Sequence, residues 1–183
     1  ILIDLDLALA RGRYAEELRA VKPVLRPFPK KMQPGHPGVI LRLFSARHPL
    51  LDSGSVVPID VDLDDQTYAL IITGPNTGGK TVALKTAALV CAMAQAGLPI
   101  PADAGSRVPV YRNLLVDIGD EQSIQQSLST FSAHLKRLLA ILKSARADTL
   151  VLIDELGAGT DPEEGSALGQ AIVQELLDRG CAL

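Results

Sequence analysis

Residues 68–96 hold, in order, a short apolar run, a glycine-rich octapeptide and a long apolar-periodic segment, and that order confines the chain to a narrow set of folds. Tyr68-Ala69-Leu70-Ile71-Ile72-Thr73 has the length and β-branched content of a strand, and Lys80 to Ala96 repeats its apolar residues at helical spacing. Between them, Gly74-Pro75-Asn76-Thr77-Gly78-Gly79-Lys80-Thr81 fits the pattern G-x-x-x-x-G-K-[ST] at every specified position. Glycines let the backbone curl closely round a polyphosphate, so that successive N–H groups and the positive end of the following helix point at it. Lys80 is then expected at the β and γ phosphates of a nucleoside triphosphate, and Thr81 is expected to put its hydroxyl on Mg²⁺. The alternative, a glycine-rich turn that merely joins a strand to a helix, is disfavoured by these flanks.

Thr149-Leu150-Val151-Leu152-Ile153 is a second continuous apolar run, suited to a strand buried on both faces of a parallel sheet, and it ends in Asp154-Glu155. Acids there have no packing use. At the carboxyl end of a central strand they face the crevice where open α/β sheets bind ligands. Asp154 is the expected partner of the Mg²⁺ shell, and Glu155 is placed to polarise a water in line with the γ-phosphate. A glutamate directly after the metal-binding aspartate points to a hydrolase rather than a kinase.

Composition narrows the remaining classes. The 183 residues are of single-domain size and 47% hydrophobic, enough for a substantial core. A net charge of −3 provides no global basic field, so a nucleic acid contact would have to come from a local patch or another part of the molecule. Cys91 falls in the apolar helix and Cys181 near the end, which suits buried thiols in a reducing, cytoplasmic compartment better than a disulfide framework. No apolar run has the length of a membrane span and no signal peptide is recognisable. Aromatic residues make up 3%, without Trp, so base-stacking platforms are not an obvious device.

Along the chain, Ile1 to about Val21 reads as an amphipathic helix. Lys22 to Gly38 carries Pro23, Pro27, Pro29, Pro34 and Pro37 and reads as a linker or mobile loop. Val39 to Phe44 and Val56 to Leu63 read as strands of a small antiparallel piece, with a turn at Asp64-Asp65. Gly97 to Pro109 is loop-like, Arg112 to Ile118 a further strand, Gly119 to Thr130 polar, and Phe131 to Ser144 a helix with Leu135, Leu138, Leu139 and Leu142 on one face. Pro162 followed by Glu163-Glu164 opens a last helix to about Asp178. Cys181 to Leu183 looks like the beginning of a strand, and both ends look cut.

Five motifs in order now suggest a family. Ala46-Arg47-His48-Pro49-Leu50-Leu51-Asp52, the phosphate loop, Ile118-Gly119-Asp120-Glu121-Gln122-Ser123-Ile124, Ser127-Leu128-Ser129-Thr130-Phe131-Ser132 and Asp154-Glu155-Leu156-Gly157-Ala158-Gly159-Thr160-Asp161 together resemble the ATPase domain of the MutS family. The match is closest to its second bacterial branch, which lacks mismatch-reading domains and commonly carries a C-terminal Smr nuclease domain. The resemblance covers roughly Leu41 to Leu183. It implies an ABC-type P-loop NTPase with a mostly parallel central sheet flanked by helices and a small antiparallel strand subdomain. On this reading residues 1–21 end a helical core or lever region, 22–38 form the linker, and 39–183 form the ATPase domain, truncated at its C-terminus.

The resemblance also implies a homodimer in which nucleotide is sandwiched between the phosphate loop of one subunit and the signature segment, Ser129 and Thr130, of the other. Seen without the family, Ser129-Thr130 reads more readily as a plain helix cap. Gly157 to Asp161 resembles the loop that crosses that interface, and Asp120-Glu121-Gln122 the segment near Mg²⁺ that relays nucleotide state. Two departures qualify the likeness. Val56-Val57-Pro58-Ile59 offers only aliphatic contact where the mismatch-repair branch places an aromatic residue against adenine. The family's switch histidine is expected beyond Leu183, and His36, His48 and His134 do not replace it, so this stretch is expected to bind ATP with Mg²⁺ but to hydrolyse it only weakly; His134 reads as solvated or capping. The implied parent protein acts on DNA, in suppression of homologous recombination, or on the ribosome and its rRNA in rescue of collided ribosomes, with endonuclease action in another domain. Two other readings compete: an ABC transporter cassette, for which Ser127 to Phe131 lacks the paired glycines, and a nucleotide-dependent dimerisation switch with little hydrolysis.

Overall fold

A computed structural model describes the chain apart from residues 1, 29–40, 65, 75–77 and 120–126, and gives backbone alone for 127–131. The elements are α1 (Leu2–Glu17), β1 (Val24–Arg26), β2 (Leu41–Ala46), β3 (Ile59–Leu63), α2 (Lys80–Gln95), β4 (Arg107–Pro109), β5 (Asn113–Asp117), α3 (Ser127–Ser144), β6 (Thr149–Ile153) and α4 (Pro162–Asp178).

The chain is α/β. β5 and β6 pair in parallel over their full length, from Asn113 against Thr149 to Asp117 against Ile153. Side chains alternate across these strands. Leu114, Leu150 and Leu152 pack on the side of α2 with Val90 and Cys91, whereas Leu115 and Val151 pack with Leu138, Ile141, Ile172 and Leu176 of α3 and α4. A continuous apolar run is what a strand covered on both faces requires, and β6 is buried from Thr149 to Leu152. Cys181 to Leu183 continue the parallel arrangement: Val151 N–H donates to Ala182 O and Ala182 N–H to Thr149 O.

The segment expected as the phosphate-loop strand is extended but forms no regular strand. Leu70 N–H donates to Leu183 O and Leu183 N–H to Tyr68 O, in the parallel sense, and beyond Leu70 no further ladder bond appears among the described residues. Ile71 stays 67% exposed, so apolar content alone, without a partner on either side, does not complete a ladder. The regular parallel part is therefore the β5–β6 pair, smaller than the sequence suggests.

The second sheet has the order β1-β4-β2-β3. β2 and β3 are antiparallel, as expected, with a bulge between Leu43 and Ala46 where Ser45 takes a φ of 47°. Two strands come from stretches that read as loop: Val24–Arg26, inside the proline-rich segment, pairs in parallel with Arg107–Pro109. Three-residue strands carry too little periodicity to be seen in sequence; their partners define them. From residue 29 onward the proline-rich stretch, with His36, lies outside the described residues.

Candidate functional site

α2 begins at the phosphate loop for a local reason. Gly79 is its N-cap, at φ 76° and ψ 14°, and no side chain caps it. A side chain at that left-handed position would cost about 1 kcal/mol. The leading N–H groups of an α-helix lie beyond its own hydrogen-bond ladder, and with a glycine cap that offers no side chain the start of α2 is the kind of terminus that favours an anion. Lys80 folds back across the loop to donate to the carbonyl of Gly74, so its ammonium bridges the loop's two ends. Pro75, Asn76 and Thr77 lie outside the described residues.

Thr81 Oγ1 donates to Asp154 Oδ2 at 2.5 Å, joining the first turn of α2 to the end of β6. Asp154 is 8% exposed and its other oxygen accepts from Glu155 N–H at 3.0 Å. The carboxylate is thus fixed by both oxygens beside a hydroxyl. Mg²⁺ takes few protein ligands, typically one or two carboxylates plus phosphate oxygens and water. One hydroxyl and one oriented carboxylate at the start of a helix fit that demand, and among the described residues no cluster of three metal-ligating side chains competes.

Glu155 is exposed and sits at φ 51°, a left-handed conformation costing a non-glycine residue about 1–2 kcal/mol. The turn continues through Ala158 N–H to Glu155 O, and Gly157 packs directly against Gly165 of α4. Asp161 then caps α4, its Oδ1 accepting from Glu163 N–H at 2.9 Å.

Ser129 and Thr130 fall inside the first turn of α3, which begins at Ser127, ahead of the expected start; they are therefore not its N-cap, and their side chains lie outside the described residues. So do Asp120, Glu121 and Gln122. His134 differs from expectation. Its side chain is only 16% exposed, with Nδ1 2.8 Å from Asp117 Oδ2, so it is neither solvated nor capping. Arg137 Nε donates to Asp117 Oδ1 at 2.6 Å. This group was missed in sequence; the signals were an acid closing an apolar strand and two basic side chains one turn apart on α3. His48, by contrast, accepts from Leu50 N–H in a turn. Asp64 forms the expected turn, accepting from Gln66 and Thr67 N–H.

A family model described as MutS domain V matches residues 70–183. A protein from Thermomicrobium roseum named endonuclease MutS2 is 57% identical over 177 residues, 96% of this chain and 22% of that protein. Proteins of the same name from Caldicellulosiruptor bescii and Clostridium botulinum are 49% and 48% identical over 98% and 100% of this chain, each again with 22% of its own length covered. The chain spans about a fifth of the curated relatives it matches.

Proposed function

The chain belongs to the family of MutS domain V, in the branch of the proteins named MutS2, and on that premise we propose that it binds ATP with Mg²⁺ and hydrolyses it to drive conformational work on nucleic acid. The observation that carries this reading is the 2.5 Å contact between Thr81 and Asp154, which brings the two metal-side groups together across the fold.

The phosphates lie on the first-turn N–H groups of α2 and under the ammonium of Lys80. Thr81 Oγ1 and Asp154 would hold Mg²⁺, which would supply neutralisation of phosphate charge. Glu155, next to Asp154 and exposed, orients and polarises the attacking water and takes its proton. Ser129 and Thr130, in the first turn of α3, contact the γ-phosphate bound by a second copy, so the working unit is a homodimer. Residues 39–183 act as the ATPase domain, mostly parallel in its central sheet, and 1–21 as the end of a helical lever joined through 22–38. The whole protein works in the cytoplasm on DNA, or on the ribosome through rRNA, with endonuclease action lying outside this chain. Among the described residues no helix is long and apolar enough to cross a membrane.

Titration with a fluorescent ATP analogue, with Mg²⁺ or with chelator, tests the site. Lys80→Ala is expected to weaken binding at least tenfold, and Asp154→Asn to remove the Mg²⁺ dependence. Glu155→Gln should leave affinity within about twofold while lowering turnover roughly a hundredfold. Binding that ignores Lys80→Ala, Asp154→Asn and the metal would overturn the reading.

A further inference from the structure

Asp117 closes β5 with a carboxylate that is 2% exposed, yet only one of its oxygens has an aligned hydrogen bond, from Arg137 Nε. Oδ2 lies 2.8 Å from His134 Nδ1 but off the line of a hydrogen bond; it and His134 Nε2 are buried without a hydrogen-bond partner among the described residues. Leaving a buried charge so incompletely satisfied is costly, and apolar residues of similar volume would fasten a helix to a strand at least as well. The cluster therefore asks for a reason beyond stability.

Its position supplies one. The carbonyl of Asp117 accepts from Asp154 N–H at 2.9 Å, so the residue that grips α3 through its side chain holds the start of the Asp154 turn through its backbone. His134 and Arg137 stand three residues apart, on neighbouring turns of one face of α3. Further along α3, Leu138 and Ile141 pack in the apolar cluster with Val151. Apolar packing resists separation of helix and sheet but is weakly directional along the helix axis. A directional bond from Arg137 sets that axial position.

We propose that Asp117, with Arg137 and His134, is a positioning group that fixes the first turn of α3 relative to Asp154, so that the metal half of one nucleotide site and the α3 half offered to a second copy move as one body. This rests on the nucleotide-sandwich reading above. A subunit whose own site is filled by Mg²⁺ and nucleotide then presents Ser129 and Thr130 in register for its partner.

The test uses the whole chain and two readouts: affinity for a fluorescent ATP analogue with Mg²⁺, and pairing measured by sedimentation with a non-hydrolysable ATP analogue. Arg137 is 43% exposed in its side chain, so Arg137→Gln leaves a foldable helix, and His134→Gln is a second variant. Both are expected to bind nucleotide within about twofold of wild type while pairing roughly tenfold more weakly. Pairing losses of Arg137→Gln and Asp117→Asn should be non-additive, and Lys136→Gln, exposed on the same helix, should change neither readout. Wild-type pairing by Arg137→Gln, or equal loss of pairing and nucleotide affinity, overturns the proposal, the second being what a loosened fold produces. A wild-type chain that binds nucleotide but never pairs sinks this inference and the homodimer with it, leaving the nucleotide site standing; one that binds no nucleotide sinks the whole proposed function and this inference as well.

Discussion

Gly157 and Gly165 meet backbone to backbone: a Cβ on Gly165 would stand 2.2 Å from Gly157 O, and one on Gly157 2.3 Å from Gly165 O. The loop after Asp154-Glu155 can lie this close to α4 only because neither residue has a side chain. Gly165→Ala gains about 1 kcal/mol of helix propensity, yet the clash is with backbone that cannot rotate away. A net loss of about 1–3 kcal/mol in urea unfolding is expected. Gly12, exposed within α1, provides the opposite case, because a Cβ there would meet nothing within 4 Å: Gly12→Ala should gain up to about 1 kcal/mol. The same chemical change thus has opposite signs at two positions. The sequence shows a glycine at each; which one carries a contact is a matter of what approaches it in space.

At the scale of elements, helices were legible and short strands were not. α4 runs from Pro162 to Asp178, the bounds that its proline, acids and apolar period suggest, because every signal for a helix lies within the helix. Its cap is equally local, Asp161 accepting from Glu163 and Glu164 N–H. Asp161→Ala should cost about 1 kcal/mol, read as a lower urea midpoint at unchanged slope. β1 and β4, three residues each, were invisible, since each exists only through its partner. The reverse error fell on residues 68–73, whose apolar content reads as strand but whose backbone bonds to Leu183, at Tyr68 and Leu70, do not build a regular strand. Helical hydrogen bonds close within four residues, whereas a strand's bonds are made by residues elsewhere in the chain.

For the molecule as a whole, two packed faces of one parallel pair shelter two thiols. Burial pushes Cys91 from an ordinary value of 9.0 up to about 12, and Cys181 up to about 11. Below pH 9 both are protonated in either state and leave stability unchanged. Above it the unfolded thiols ionise while the native ones stay protonated, so the native chain binds more protons and stability falls as pH rises from 9 towards 11–12. Urea unfolding at pH 8, 9 and 10 should show a decline concentrated in the upper interval, shallower in Cys91→Ala than in wild type. The sequence by itself determined the helices and supplied the pattern on which the proposed ligand chemistry rests, because the glycine loop, Lys80, Thr81, the Asp154-Glu155 pair and helical periodicity are patterns among near neighbours. Tertiary structure alone decided that Thr81 meets Asp154, 73 residues away, that two loop-like stretches pair as strands, and that Asp117 takes hold of α3. Those contacts close long loops, and the entropy of closing them is recovered only by packing that the whole chain supplies.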